Sequence, residues 1–583
     1  MQQLNMRFSQ FFAPFLADET RVASDCSEEI APAERSEPSG LRSVVHRVYL
    51  LLSVLIVLAA FSLRIYHISQ RSLWLDEAIA ANISRGTLSE TLTLTRGLHS
   101  APIVHPFILN AVERFGRGPL AARMPSLMAS VLAVVLMLCF VTIPSIDFRT
   151  AGLSALMLSV SAPQIRYAQE VREYSLGVLY AGVLLYVYLS YCSKAEEGDS
   201  PIPLYVALFI APFVQYGLVL FSFGLLSALL VLALTGREPG RRIRRLITAS
   251  GFLALGGLLS FMLTLRYQWG EEASYLQSYY WTPGSNVLRF VELNTHHLIT
   301  FLLPGLAAAA ISMVAALIYL VESVRARIVP PLSLLAFCSC GVVLVCSILH
   351  LYPYGGIRQC LFLAPVLCLF ASASLVQVAN RFTSFANSLL FVAITGVVVV
   401  SGVFQIRLLK PYAEVEDIQK ILLSLRSHLE PGDGVYVYCG AVPAVDFYVK
   451  ERDRRFMYGN VHQQDPEKYV SEMLAGLGPD ANRLWLVFSH IHGDEDQRIL
   501  HDLSKDWKVE QVLSVKGSAK VDFALSEKGS VLYLASRRFP VADEARAPSY
   551  DAVIGPSESA PVPDLTRDSF WDWNMRISRQ PAH

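Results

Sequence analysis

Eleven stretches of apolar residues, each long enough or nearly long enough to cross a bilayer, limit what this 583-residue chain can fold into. A hydrocarbon core of about 30 Å takes roughly 20 apolar residues in helical form, and only closed hydrogen-bonded structures such as helices satisfy their backbone inside it. The runs fall at approximately 46–65, 126–146, 150–163, 174–192, 203–217, 218–235, 246–266, 296–320, 332–350, 360–378 and 387–406. The third is short and ends in proline, which predicts a broken helix buried among others. The stretch 203–235 is too long for one span and contains Pro212, Gln215 and Gly217, which predicts two. Charged residues make up 17% of the chain and mean hydropathy is +0.41, against about 25% charged in soluble domains. A disordered, fibrous or nucleic-acid-binding chain is excluded.

Lys+Arg and Asp+Glu number 49 each, so charge carries information only locally. The densest basic loop, 236–245, falls on the same side of an eleven-span layout as Arg42, Arg47, Arg149, Lys194, Arg325, Arg327 and Arg381. The positive-inside rule assigns that side to the cytoplasm. Residues 67–124, 164–173, 267–295, 351–359 and everything after 407 are then expected outside. Residues 1–43 are polar and lack a small-residue cleavage site, so a disordered cytoplasmic tail is expected rather than a signal peptide.

Residues 44–410 are expected to form the transmembrane domain, with its chemistry in the loop 67–124. Beyond Pro411 the pattern changes to alternating helix and strand: an amphipathic helix at 414–428, strands at 435–439 and 484–488, helices near 441–450 and 494–505, and strand-like stretches at 509–515, 520–525 and 531–536. That alternation predicts a small α/β extracytoplasmic domain over 411–540. Residues 541–583, rich in Pro, Ser, Asp and Arg, read as a disordered tail. The fold class is therefore mainly α, a polytopic helical membrane domain followed by a small α/β domain. Seven of the nine cysteines lie in apolar runs and no CxxC occurs, so neither a disulfide framework nor a cysteine metal site is implied.

Immediately after the first span stands Arg71-Ser-Leu-Trp74-Leu-Asp76-Glu77-Ala78. Adjacent carboxylates between Trp and Leu, beside a membrane helix, are either interface decoration or a carboxylate held as a general base with its pKa raised by apolar neighbours. Thr87-Leu-Ser-Glu90 is a capping box, which assigns Glu90 to helix architecture. His105-Pro106 opens a further helix whose Phe107, Ile108, Ala111, Val112 and Phe115 share one face, as for a helix resting on the bilayer. Arg123-Met-Pro125 stands at the mouth of the second span, either a snorkelling anchor or the holder of an anionic headgroup. Between two apolar runs, Arg166-Tyr-Ala-Gln-Glu170-Val-Arg172-Glu173-Tyr174 places four charges at membrane depth, either a structural ion-pair cluster or a substrate path. Leu351-Tyr-Pro-Tyr-Gly-Gly-Ile-Arg358 sets a glycine-flexed arginine above the tenth span, suited to a phosphate.

In order along the chain, Leu-Trp-Leu-Asp76-Glu77, the His105-Pro106 element, Arg123-Met-Pro and Tyr-Ala-Gln-Glu170-Val-Arg172-Glu-Tyr174 resemble the GT-C membrane glycosyltransferases over about residues 45–410. The likeness is to glycosyltransferase family 39, the protein O-mannosyltransferase and aminoarabinose-transferase type. It implies a sugar transferred from a polyprenyl-phosphate donor to an acceptor at the outer face of a bacterial inner membrane. It also implies Asp76 as catalytic base with Glu77 the adjacent family carboxylate, and Arg123 as binder of donor phosphate. Arg358 and Arg172 follow as further phosphate-binding candidates, with Glu170, His105 and Tyr174 as other site candidates. Some enzymes of this class use a divalent cation near the carboxylate, though no ligand set is evident here. The acceptor, whether glycan, lipid or protein, is not specified.

The chemistry needs no more than this inventory. Polyprenyl phosphate leaves as an anion with a second pKa of about 6, so positive charge matters more than a protonating acid. Asp76 would take the acceptor hydroxyl proton and single displacement would invert the anomeric centre. A transporter or lipid flippase is the alternative, but transporters gather polar groups at mid-membrane in paired repeats. A membrane sensor would leave the first-loop carboxylates without a task. Ser489-His490-Ile-His492-Gly-Asp494-Glu-Asp496 has the composition of a metal cluster. Its place between a predicted strand and a predicted helix favours a loop whose acids complement the helix dipole.

Overall fold

The computed structural model describes residues 39–98, 101–116, 118–193, 200–235, 239–268, 274–327, 330–412, 416–449, 455–460, 466–477, 481–491, 493–515 and 529–537. Residues 1–38 of the expected tail 1–43, the expected tail 541–583, the strand-like stretch 520–525, His492, Lys194 and part of the basic loop lie outside the described residues, while residues 39–43 belong to the helix Ser39–Ile65.

Nine described helices are long and apolar enough to cross a membrane: Arg47–Ile65, Pro119–Thr142, Tyr174–Ser193, Gly217–Thr235, Gly240–Gln268, Gly305–Arg325, Pro331–Ile348, Arg358–Ala379 and Ser384–Leu409. Two shorter apolar helices, Phe148–Val160 and Ile202–Val214, fill the places of the broken third span and of the first half of the divided stretch. The protein is a multi-pass membrane protein. Its outward leucines and valines, such as Leu51, Leu55 and Leu58, are half exposed, as side chains facing hydrocarbon rather than a core must be.

Two boundaries differ from the sequence reading. The second span begins at Pro119, a first-turn position that tolerates proline, so Arg123 stands inside the helix rather than at its mouth. The eighth does not run from 296: Pro304 and Gly305, with φ +85, break the chain into Val287–Leu302 and Gly305–Arg325. His296 and His297 therefore sit on a helix that precedes the span.

The C-terminal segment folds as a five-stranded mixed sheet of order β2-β1-β3-β5-β4. Its strands are β1 Gly434–Val437, β2 Phe456–Tyr458, β3 Arg483–Phe488, β4 Trp507–Val515 and β5 Ser530–Arg537. β1 runs parallel to β2 and β3, and β5 runs antiparallel to β3 and β4. The short strand β2 and the helix Pro466–Gly476 were not foreseen. β1 is buried throughout, as a strand covered on both faces should be. Val435 and Val437 pack with Ile418, Ile421, Val442 and Val445, while Tyr436 and Tyr438 point to the opposite face with Tyr469, Met473, Ile499 and Leu503. The first of these cores does not stop at the sheet: Leu73, Ala78, Ala81, Leu109, Ala122 and Val171 belong to it. The sheet is thus docked on the loop that follows the first span.

Candidate active site

The helix Leu75–Ile83 starts one residue after Trp74 and carries Asp76 and Glu77 in its first turn. Neighbours in a helix point about 100° apart, and the two carboxylates accordingly enter different surroundings. Glu77 turns inward. Its Oε1 accepts from Arg123 Nε at 2.8 Å and its Oε2 from Arg123 Nη2 at 2.7 Å, a bidentate pair. The Val171 amide donates to Oε1 at 3.0 Å and the Trp74 amide to Oε2 at 3.5 Å. Arg123 is fully buried and also donates to the carbonyls of Ile68, Arg71 and Ser72, at 2.6, 2.9 and 2.9 Å. All five of its N–H groups are spent on protein. Arg123 has no donor left for a phosphate. The expectation that it binds one gives way to a structural role: the clamp fixes the loop 68–77 against the second span.

Asp76 turns outward, its side chain 25% exposed. Arg172 Nη1 lies 3.4 Å and Arg358 Nη1 3.5 Å from its Oδ2. Its immediate neighbours are two guanidinium groups, not the apolar walls expected from sequence. Both distances exceed the 2.7–2.9 Å of a tight charge-assisted bond, so the cage is loose where the Glu77 clamp is closed. Aromatic rings brace it: Arg358 lies 5.7 Å from the ring centroids of both Trp74 and Tyr174, and Arg172 lies 5.6 Å from Tyr174. Glu173 Oε2 approaches Arg172 Nε at 3.6 Å. Arg358 enters from a 3-10 turn, Arg358–Leu363, behind Gly355 and Gly356. Gly355 has φ +152, and a Cβ on Gly356 would fall 2.8 Å from the His297 carbonyl oxygen. The flexing glycines read from sequence are what allows that approach.

His105, 1% exposed, lies on the buried side of its helix with Leu109, Asn110 and Glu113, while Phe107, Ile108, Ala111, Val112 and Phe115 stand half-buried or exposed, Phe115 at 92%. Burial, aided by the Arg172 charge, drops the His105 imidazole to about 3, so it is neutral at any physiological pH. Both of its ring nitrogens and the indole Nε1 of Trp74 are buried without a protein hydrogen-bond partner. Buried polar groups in folded proteins are as a rule hydrogen-bonded, so three such atoms together stand out.

Glu170 does not join Asp76. It pairs with Arg166 at 2.7 Å, and burial, outweighing that arginine, holds its carboxyl above the usual range. Arg166 and Arg71 both donate to the Pro411 carbonyl, at 3.2 and 3.4 Å, and Arg71 reaches the Gln169 carbonyl at 3.0 Å. This buried network ties the second loop to the chain entering the sheet domain.

The sheet domain reaches the same helix start. Ser72 Oγ donates to Asp417 at 2.7 Å, the Leu73 amide donates to the Tyr448 hydroxyl at 2.8 Å, and the Leu75 amide donates to Glu416 Oε2 at 3.3 Å. Glu416 Oε1 in turn holds His490 Nδ1 at 2.8 Å. Although burial opposes it, Glu416 and then Asp76 push the His490 pKa upward. The sequence pattern does not display this ion pair and favours a loop at His490. Its own signal was present in the cluster around it, but the partner, Glu416, lies 74 positions away.

Beside Gly356, two residues from Arg358, opens an apolar cavity of about 1020 Å³ between the helices Val287–Leu302, Gly305–Arg325 and Ser384–Leu409. His297 and Gln405 supply polar groups, and Leu306, Val400 and Phe404 supply greasy walls. Among the described residues no group of three His, Cys, Asp or Glu side chains could hold a metal ion. At Asp76 the two guanidiniums take the positions a cation would need, so the residues present do not fit a divalent ion there.

No family model matches the sequence, and no curated protein matches it. Solved structures do. The chain is similar to ArnT from Cupriavidus metallidurans in the apo state, with 13% identity, 84% of this chain and 98% of that chain covered, and a TM-score of 0.51. ArnT bound to undecaprenyl phosphate aligns with 15% identity over 85% and 99% of the two chains at a TM-score of 0.48. The apo oligosaccharyltransferase of Archaeoglobus fulgidus aligns with 11% identity over 76% and 69% at 0.47. The chain is a polytopic membrane protein with the GT-C glycosyltransferase fold. Within that class, ArnT is matched across nearly the whole of its own length.

Proposed function

We propose that this protein is an inverting glycosyltransferase that moves a sugar from a polyprenyl-phosphate donor to an acceptor on the outer face of the membrane. Asp76 is the general base. The observation that carries this reading is one partly exposed carboxylate set between two buried arginines, one of which, Arg358, follows by two residues a glycine that lines an apolar cavity large enough for a lipid segment. The shared fold with ArnT supports it.

The polyprenyl chain lies along the apolar cavity and the phosphate meets Arg172 and Arg358. The acceptor hydroxyl gives its proton to the Asp76 carboxylate as its oxygen attacks the anomeric carbon from the face opposite the phosphate. The anomeric C–O bond to phosphate breaks, its electron pair stays on the phosphate oxygen, and the two guanidiniums neutralise the charge that develops. His105 and the Trp74 indole, both buried and unpartnered, hydrogen-bond sugar hydroxyls. Glu77 and Arg123 take no part in the displacement and hold the helix start in place. A transporter reading finds less support, since the buried ion pairs gather at one end of the bundle rather than in paired repeats at its middle.

Lipid-linked sugars and surface glycans compared between a strain lacking the gene and its parent provide the test. Accumulated sugar-polyprenyl phosphate together with a glycan or lipid missing one sugar is the expected result. Unchanged glycans and donor pools would overturn the proposal.

A further inference from the structure

At the end of the bundle opposite Asp76 lies a second cavity, of about 380 Å³, that the transfer reaction does not use. The helix Tyr174–Ser193 connects the two places: Tyr174 braces the Asp76 cage, and Tyr191 lines the second cavity. Seventeen residues of helix separate them by about 25 Å, close to the thickness of the hydrocarbon core.

Its lining is of two kinds. Arg241, Arg242 and Arg245 face it from the first turns of the helix Pro239–Ser260, and Leu204, Leu229 and Leu232 line it as well. No acidic side chain lines it among the described residues. The arginines are not random surface charge. Arg242 donates to the Leu232 carbonyl at 3.1 Å, and Arg245 donates to the Tyr191 hydroxyl at 3.5 Å while its guanidinium lies 5.9 Å from that ring. Each bond uses one of the five N–H groups of a guanidinium and sets the plane of the rest. Arginine stems cover apolar surface while the heads collect at the opening. Three cations above a leucine-lined recess at membrane depth are complementary to an anionic head with acyl chains below it, and basic pockets between membrane helices hold such heads in general.

We propose that this cavity is a binding site for an anionic glycerophospholipid, its phosphodiester held by Arg241, Arg242 and Arg245 and an acyl chain laid against Leu204 and Leu232. A bilayer component is the occupant to commit to, because the recess opens among the ends of membrane-crossing helices and a free phosphate would leave its leucines uncovered. The site is separate from the donor: it stands even if the chain transfers no sugar.

The test uses the full chain in detergent, with native mass spectrometry counting retained lipids and thermal unfolding read in parallel. Phosphatidylglycerol, phosphatidylcholine and inorganic phosphate are added separately. Phosphatidylglycerol should be retained and should raise the unfolding temperature, with phosphatidylcholine and phosphate doing neither. Arg241→Gln, at the most exposed of the three, should weaken retention about fivefold and the triple glutamine variant about a hundredfold, taking each basic residue at the usual worth of one near an anionic surface. If the triple variant fails to fold, Arg241→Gln and Leu204→Trp, which fills the recess, each still decide the matter. Equal retention of both lipids, an effect of phosphate matching that of phosphatidylglycerol, or undiminished retention by the variants would overturn the proposal.

Discussion

Asp76 and Glu77 are consecutive acids in one helical turn, and the protein treats them oppositely. Glu77 is closed in on every side: a bidentate arginine at 2.7 and 2.8 Å, two backbone amides and no solvent. Asp76 is a quarter exposed and loosely flanked by guanidiniums at 3.4 and 3.5 Å. A carboxylate with every lone pair taken cannot receive a proton without dismantling its clamp, whereas one with long, open contacts can. Adjacent acids in a loop are therefore not interchangeable candidates for chemistry. The direction each side chain takes from the helix start decides between architecture and reaction.

The comparison can be broken most decisively at Glu77. Glu77→Gln leaves a buried guanidinium without its counter-charge and should cost about 3–5 kcal/mol of stability, read as a large fall in thermal unfolding temperature and in folded yield. A variant with unchanged unfolding temperature but no activity would place Glu77 in the reaction and erase the distinction. Arg358→Lys keeps the charge but loses the planar fork. It should raise the KM for donor about ten- to a hundredfold, a loss of about 1.5–3 kcal/mol, with the unfolding temperature little changed. Arg123→Lys should do the reverse, lowering stability while leaving KM for donor alone in the protein that folds.

A smaller effect belongs to the contact between sheet domain and helix start. The folded His490 pKa is raised above 6.5, so its pairing with Glu416 stabilises the docked domain fully below that value and fades as pH rises through the folded one. Docking, followed by protection of the Leu75 amide from hydrogen exchange, should weaken across that window, and His490→Gln should remove the pH dependence. Smallest is the capping box, where the Thr87 amide donates to Glu90 and the Glu90 amide to Thr87. Thr87→Ala should lower the unfolding temperature by the equivalent of about 1 kcal/mol with no change in turnover.

Much of the bundle was legible in the sequence because its determinants are local. Hydropathy placed eleven apolar helices, and Pro212 with Gly217 marked the division of 203–235. The capping box and the outward face of the His105 helix followed from spacing alone. Where reading fell short, the determinant was distant or directional. The second span takes in Arg123 because Pro119, not Met124-Pro125, is its first-turn proline. The clamp role of Arg123 depends on three carbonyls between residues 68 and 72 that no linear pattern displays. The cage round Asp76 joins positions 76, 172 and 358, and the Glu416–His490 pair joins residues 74 positions apart. Strand β2 was missed because three residues leave too short an alternation to detect.

The account stands on Asp76 as the group that takes the acceptor proton, and turnover measures that directly. With purified protein, a sugar-polyprenyl phosphate donor and membrane acceptors from a strain lacking the gene, release of polyprenyl phosphate should fall about 10²–10⁴-fold in Asp76→Asn, while the unfolding temperature matches that of the parent. Release at the parental rate by a folded Asp76→Asn protein would contradict it.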